Sequence, residues 1–136
     1  MAYPDLPYEL NKADQFVLLP NGSELWFQGL DDDARTDKIL GAEYATIYLN
    51  ECSQISFSTV EKVRSRLAQT AYKANGDPLP LRAYHDLNPE TASHWSYQEF
   101  IENVNPIDGF PLDDPNDYAV IQMNRENPWP YVDAAA

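Results

Sequence analysis

The sequence predicts an α/β fold, with a mostly parallel sheet and a β-hairpin near the N-terminus, in one domain covering residues 1–136. Two observations carry this expectation. Asn21-Gly22 stands between two short apolar runs, and beyond it strand-like and helix-like patterns alternate to the end of the chain. Alternation implies crossover connections between strands, and crossovers make neighbouring strands parallel. At 136 residues, with 43% hydrophobic and 12% aromatic content, the chain is long and apolar enough to bury a core.

The elements follow in order. "MAYPDLPYELNK" is broken by proline and reads as an irregular lead-in. Phe16–Leu19 and Leu25–Gln28 then flank Pro20-Asn21-Gly22-Ser23, a hairpin signal because Asn and Gly accept positive φ at low cost. Asp31–Asp33 can cap a short helix through Leu40, with Gly41 ending it. Three consecutive carboxylates point in different directions, so the triplet reads as capping and a solvated turn, not a metal site. Ala45–Leu49 is a continuous apolar run, the pattern of a strand covered on both faces.

Ser56 is placed to cap a helix over Phe57–Thr70, where Phe57, Val60, Val63, Leu67 and Ala71 recur at helical spacing. Lys62, Arg64, Arg66 and Lys73 form the chain's basic concentration and read as a solvated face. After the break "NGDPLP", "LRAYHDLNP" reads as a strand that stops at Asn88-Pro89. Thr91 or Ser93 would cap a helix over His94–Glu102. Its apolar contacts would come from Trp95, Tyr97, Phe100 and Ile101. "NVNPIDGFPLDDPND" is loop, Tyr118–Met123 reads as a further strand, and "NRENPWPYVDAAA" as a proline-rich exit.

Composition narrows the chemistry. With 9 basic and 22 acidic residues the net charge is −13, which repels phosphate backbones and argues against a DNA-gripping surface. The single cysteine, Cys52, can form no intramolecular disulfide and follows an apolar strand, as a half-buried structural thiol does. His85 and His94 fall on different elements with no ligand partner at metal-site spacing, so no metal site is expected. Trp26, Trp95 and Trp129 read as packing residues, and Asp113, Asp114 and Asp117 as loop carboxylates. No apolar run approaches the roughly 20 residues of a membrane helix. No basic segment followed by an apolar one opens the chain either, so a cytoplasmic protein without a membrane partner is expected.

The candidate site lies where apolar strands end. Ile47-Tyr48-Leu49 lead into Asn50-Glu51, and the second strand ends at Asp86 and Asn88. Parallel sheets bind ligands at the carboxyl ends of their strands. In nucleotide hydrolysis an acidic residue at such an end helps hold the magnesium shell, and the next carboxylate polarises the attacking water. Asn50 can still accept from a magnesium-bound water through its amide carbonyl, without charge. Glu51 keeps the base position.

Several segments, in this order and spacing, resemble the large terminase subunit of tailed bacteriophages and prophages, the motor that packages DNA into the empty capsid. They are "LPNGSELWFQGLDD", "KILGAEYATIYLNECSQIS", "VRSRLAQ", "LRAYHDLNPETASHWSYQEF" and "YAVIQMNRENP". The resemblance runs from Gln15 to Pro130. It implies a partial P-loop ATPase core of the additional-strand type, with ATP and Mg2+ as its ligands. The strand ending in Asn50-Glu51 resembles Walker B, with Glu51 as the catalytic carboxylate and Asn50 in the magnesium shell. Asp86 to Pro89 resembles the coupling motif, in which Asn88 senses the γ-phosphate beside Asp86 and Pro89. The implied partners are the remaining terminase segments or subunits, the portal protein, and DNA in the assembled motor, all in the bacterial host cytoplasm.

One departure shapes the expectation. The phosphate-cradling pattern G-x-x-x-x-G-K-[ST] is missing, and none of the five glycines precedes a lysine. The chain is therefore expected to begin inside the ATPase domain and to stop where the family's nuclease domain begins. As a truncated or split product it would not turn over ATP alone. The alternative expectation is a non-catalytic interaction protein that retains the terminase fold and assembles with another terminase chain or the portal.

Overall fold

The hairpin forms where Asn21-Gly22 places it, but through a different turn. The structure is a computed structural model that describes residues 5–30 and 33–123, the side chains of 33–35 apart. Strands β1 (Glu9–Asn11), β2 (Phe16–Leu18) and β3 (Glu24–Trp26) form an antiparallel sheet in that order. Phe16 faces Trp26 and Leu18 faces Glu24, and the Phe16 and Trp26 rings stack with centroids 4.6 Å apart. In the turn, the Gly22 N–H donates to the Leu19 carbonyl at 2.9 Å and the Leu19 N–H to the Ser23 carbonyl at 2.8 Å. Gly22 has φ 82°, whereas Asn21 does not take positive φ. The loop is thus a proline-started turn followed by a left-handed glycine, not the two-residue Asn-Gly turn the dipeptide suggests.

The expected irregular lead-in instead supplies β1. Its prolines precede the strand and leave the ladder intact. The Asn11 side chain builds the connection to β2 by accepting from the Ala13 and Asp14 N–H groups at 3.0 and 2.9 Å. Gln15, at φ 62°, completes the reversal. The open edge of β2 recruits whatever segment the turn returns to it.

Helix α1 (Asp33–Leu40), strand β4 (Thr46–Leu49), helix α2 (Phe57–Arg64), strand β5 (Arg82–His85) and helix α3 (Trp95–Phe100) follow. Asp31 and Asp32 of the expected cap, and the expected exit after Met123, lie outside the described residues. The chain divides into two compact units, and the boundaries fall inside β4, α2 and β5.

The first unit runs to Ile47 and resumes from Glu61 to Ala83. Ile39, Ile47 and Val63 are buried in it. Helix α2 stops at Arg64, short of the expected Thr70, because the following backbone is claimed by pairing. Leu67 forms a parallel bridge with Tyr44, whose N–H donates to the Arg66 carbonyl at 2.7 Å. Leu67 and Ala71 continue the helical spacing in sequence only. The basic residues are not all solvated either. Arg66 Nη1 donates to the Leu40 carbonyl at 3.3 Å, which satisfies an orphan acceptor at the end of α1.

The second unit comprises Tyr48–Val60 and the chain from Tyr84. The β4–β5 pair is parallel: the Arg82 N–H donates to Ala45 and, further along both strands, the Asp86 N–H donates to Leu49. The mostly parallel sheet expected from sequence is limited to this pair. Strand β4 is not covered on both faces, as its apolar run predicts, but alternates, with Ile47 and Leu49 buried and Thr46 and Tyr48 exposed. A two-stranded sheet with one packed face needs only every second side chain to be apolar.

Ser56 caps α2 as expected, its Oγ accepting from the Thr59 N–H at 3.3 Å. Helix α3 is shorter than the expected His94–Glu102 and is capped by neither Thr91 nor Ser93. The His94 side chain accepts from the Ser96 N–H at 3.2 Å. Tyr118–Met123 forms no strand. A short 3-10 turn, Pro115–Asp117, precedes it, with Asp114 accepting from the Asn116 N–H. Tyr118 then packs edge-on against Phe100, while Val120, Ile121 and Met123 stay exposed. High β-propensity makes no strand where no ladder stands beside it. Among the described residues, no helix is long and apolar enough to cross a membrane.

A methyl group at Gly22 would meet nothing within 4 Å, so any cost of replacing it arises from its positive φ alone. Gly22→Ala should lower stability by about 1 kcal/mol, read as an earlier urea midpoint with an unchanged slope.

Candidate functional site: the carboxyl ends of the parallel strands

The two parallel strands end side by side, and hydrogen bonds tie their exits together. Beyond β4 the chain turns through Asn50 and Glu51 into a single 3-10 turn, Cys52–Gln54. Glu51 takes φ 49° and ψ 46°, the left-handed region, which costs a non-glycine residue roughly 1–2 kcal/mol. Beyond β5, Asp86 meets this turn through three of its groups. Its N–H donates to the Leu49 carbonyl at 3.1 Å, and its carbonyl accepts from the Cys52 N–H at 2.9 Å. Its Oδ1 accepts from the Glu51 N–H at 2.6 Å, a short charge-assisted bond.

The structure thus brings Glu51 and Asp86 together, with Asn50 adjacent in the chain. Asn50 and Glu51 are exposed, as a site reached from solvent requires. Asn88 and Pro89 lie in the loop that leaves β5, outside that hydrogen-bonded group. No group of three or more His, Cys, Asp or Glu capable of holding a metal ion occurs among the described residues.

Tyr48 is the member of this group that the sequence reading missed. It is 60% exposed on the open face of β4, and its hydroxyl hydrogen-bonds to the Asp86 carboxylate. That bond keeps the proton on the phenol and pushes its pKa above the ordinary 10.0, with smaller upward contributions from desolvation and from the charges of Asp86 and Cys52. Strand alternation carried the signal. Tyr48 lies between Ile47 and Leu49, whose side chains are buried, so it falls on the opposite, exposed face of β4.

The floor beneath the turn is apolar and aromatic. Cys52 is fully buried (0% exposed), more deeply than the half-buried thiol expected, and Leu49, Val60 and Trp95 are buried in the same unit. Trp95 Nε1 donates to the Ile55 carbonyl at 3.0 Å, and its ring lies near Phe57 and His85 at 5.8 and 6.2 Å. His94 joins α3 to the 3-10 turn as well. Its Nε2 lies 2.9 Å from the Ser53 carbonyl, which can only accept, so Nε2 carries the proton. Nδ1 is then available to accept from the Ser96 N–H and the Ser96 hydroxyl, the latter at 2.7 Å. Both histidines are therefore packing and capping residues in this unit. His94 was missed as a cap because Thr91 and Ser93 are the commoner cap types.

Together these observations define a mixed α/β protein that presents a carboxylate at the carboxyl ends of a parallel strand pair. Residues 7–132 match the model of the family described as phage terminase large subunit, and the chain belongs to that family. Among solved structures it is similar to the large terminase of a thermophilic bacteriophage, at 18% identity and a TM-score of 0.55. That match covers 72% of this chain and 23% of the bacteriophage enzyme's chain. It shows a shared fold over that span. No curated protein matches the chain.

Two outcomes test this geometry. A raised phenol pKa means that the Tyr48–Asp86 bond contributes in full below about pH 10 and is lost as pH rises through the folded-state value. Tyr48→Phe should therefore remove one late-titrating phenol from the ultraviolet difference titration and flatten the alkaline loss of stability. Burial also delays Tyr44, so one late phenol should remain. His94→Ala should cost about 1–2 kcal/mol in urea unfolding, and His94→Asn, which keeps a capping oxygen, about half of that.

Proposed function

We propose that the chain is an internal part of a large-terminase ATPase domain, spanning Walker B to the coupling motif on an additional-strand P-loop core. In the assembled motor, ATP hydrolysis at this domain drives viral DNA into the procapsid. The observation that carries the reading is an exposed Glu51, held in a left-handed turn at the carboxyl end of β4 and tied to Asp86 at the end of β5. Membership of the terminase family makes nucleotide hydrolysis the chemistry for which this arrangement is suited.

In this reading Glu51 orients and polarises the water that attacks the γ-phosphate. Asn50 accepts from a water of the magnesium shell. Asn88 and Pro89, leaving β5 just beyond Asp86, respond to the γ-phosphate and pass the change to the DNA-translocating part. ATP with Mg2+ is the substrate, and the phosphate cradle is supplied by terminase residues other than these 136, which contain no Gly-Lys-Ser/Thr element. The chain alone is then inactive. Its partners are the rest of the terminase and the portal, in the host cytoplasm. With a net charge of −13, other parts of the motor grip the DNA.

Glu51→Gln in a reconstituted packaging reaction tests the assignment. ATP turnover should fall by about a hundredfold or more while assembly on the portal is retained. Unchanged turnover with intact assembly would instead identify the chain as a non-catalytic interaction module on the terminase fold.

A further inference from the structure

We propose that Asp86 is the positioning residue of Glu51. Its carboxylate holds the left-handed turn from which the Glu51 side chain is presented, and it does not face nucleotide or magnesium. The consequence for turnover rests on Glu51 being the catalytic carboxylate, whereas the latch itself does not.

Three observations point to this role. Glu51 is one of three non-glycine residues with positive φ among those described, and it stands just beyond the carboxyl end of β4. A left-handed glutamate persists only if its surroundings over-determine it. Its N–H is captured at 2.6 Å by a carboxylate arriving from residue 86, the shortest bond described at this turn. The carboxylate that captures it is itself fixed, by the Tyr48 hydroxyl on one side and by the backbone bonds of Asp86 to Leu49 and Cys52 on the other. A carboxylate engaged with two donors has less capacity left for a metal-bound water. Its geometry is that of a clamp on the backbone of the neighbouring strand.

The latch also gives the two strand exits a mechanical connection. Asp86 lies two residues before Asn88, so a displacement of the loop after β5 moves the acceptor of the Glu51 N–H. Movement at the end of one strand then alters how the carboxylate at the end of the other is presented.

Amide hydrogen exchange on the 15N-labelled full chain tests the latch without nucleotide. In Asp86→Ala the Glu51 amide should exchange on the order of tenfold faster or more, the expected effect of losing a bond to a charged acceptor. The Cys52 amide is the internal control, because alanine retains the carbonyl to which it donates. Asp86→Asn keeps an acceptor oxygen and should restore protection at Glu51. A Glu51 amide that exchanges at the parental rate in Asp86→Ala overturns the proposal.

In the reconstituted motor, Asp86→Ala should lower kcat about tenfold with KM for ATP unchanged, and Asp86→Asn should recover most of the loss. A raised KM with unchanged kcat overturns the proposal, because it places Asp86 on the nucleotide. If Glu51→Gln leaves turnover intact, the catalytic reading of Glu51 falls, and the exchange experiment still decides the latch.

Discussion

The ends of the two parallel strands are joined at a single residue, and the arrangement of the candidate site follows from that junction. Asp86 donates its N–H to Leu49, accepts from Cys52 through its carbonyl and accepts from Glu51 through its side chain. A parallel pair of strands has no turn to fix its register, because its ends are joined only through a long crossover. Here the last rung of the ladder and the first bonds beyond it meet at Asp86. The position of Glu51 relative to β5 is therefore set by hydrogen bonds, not by the intervening chain.

A buried floor supports this junction. Cys52, the residue after Glu51, is fully buried, and Leu49, before Asn50, is buried as well. The exposed pair Asn50-Glu51 is thus anchored on both sides. Helix α3 contributes through Trp95, bonded to Ile55, and its cap His94 is bonded to Ser53. The 3-10 turn is held by side chains distant in sequence, which allows Glu51 to remain in a backbone conformation that a free loop would abandon. Distant support recurs at Arg66, whose guanidinium closes the end of α1.

Much of the fold was legible because some residues act locally. Pro20, Asn21 and Gly22 demand a reversal wherever they occur, and Ser56 caps the helix that begins one residue later. The apolar runs around Ile47 and Tyr84 pointed to the parallel pair, and the polar residues that end them to Glu51 and Asp86. Three of the failures share one physical cause. Leu67 kept a helical spacing but paired with Tyr44, and Tyr118–Met123 had strand composition but no neighbouring ladder. The first dozen residues looked irregular, yet Glu9–Asn11 within them were recruited to the free edge of β2. Pairing between distant segments, or its absence, overrode local propensity in each case.

By itself the sequence determined where the hairpin reverses, the cap at Ser56, the order of helices and strands from β2 to α3, and the presence of carboxylates at two strand ends. Each depends on interactions between residues only a few positions apart. The tertiary structure alone decided that the Asp86 carboxylate meets the Glu51 N–H, that Tyr48 braces it, and that Glu51 adopts a left-handed conformation. Those three facts depend on the register of two strands separated by a helix and a long connection. Local spacing carries no information about which rung of one strand lies beside which rung of the other. That register turns two ordinary strand ends into one hydrogen-bonded site.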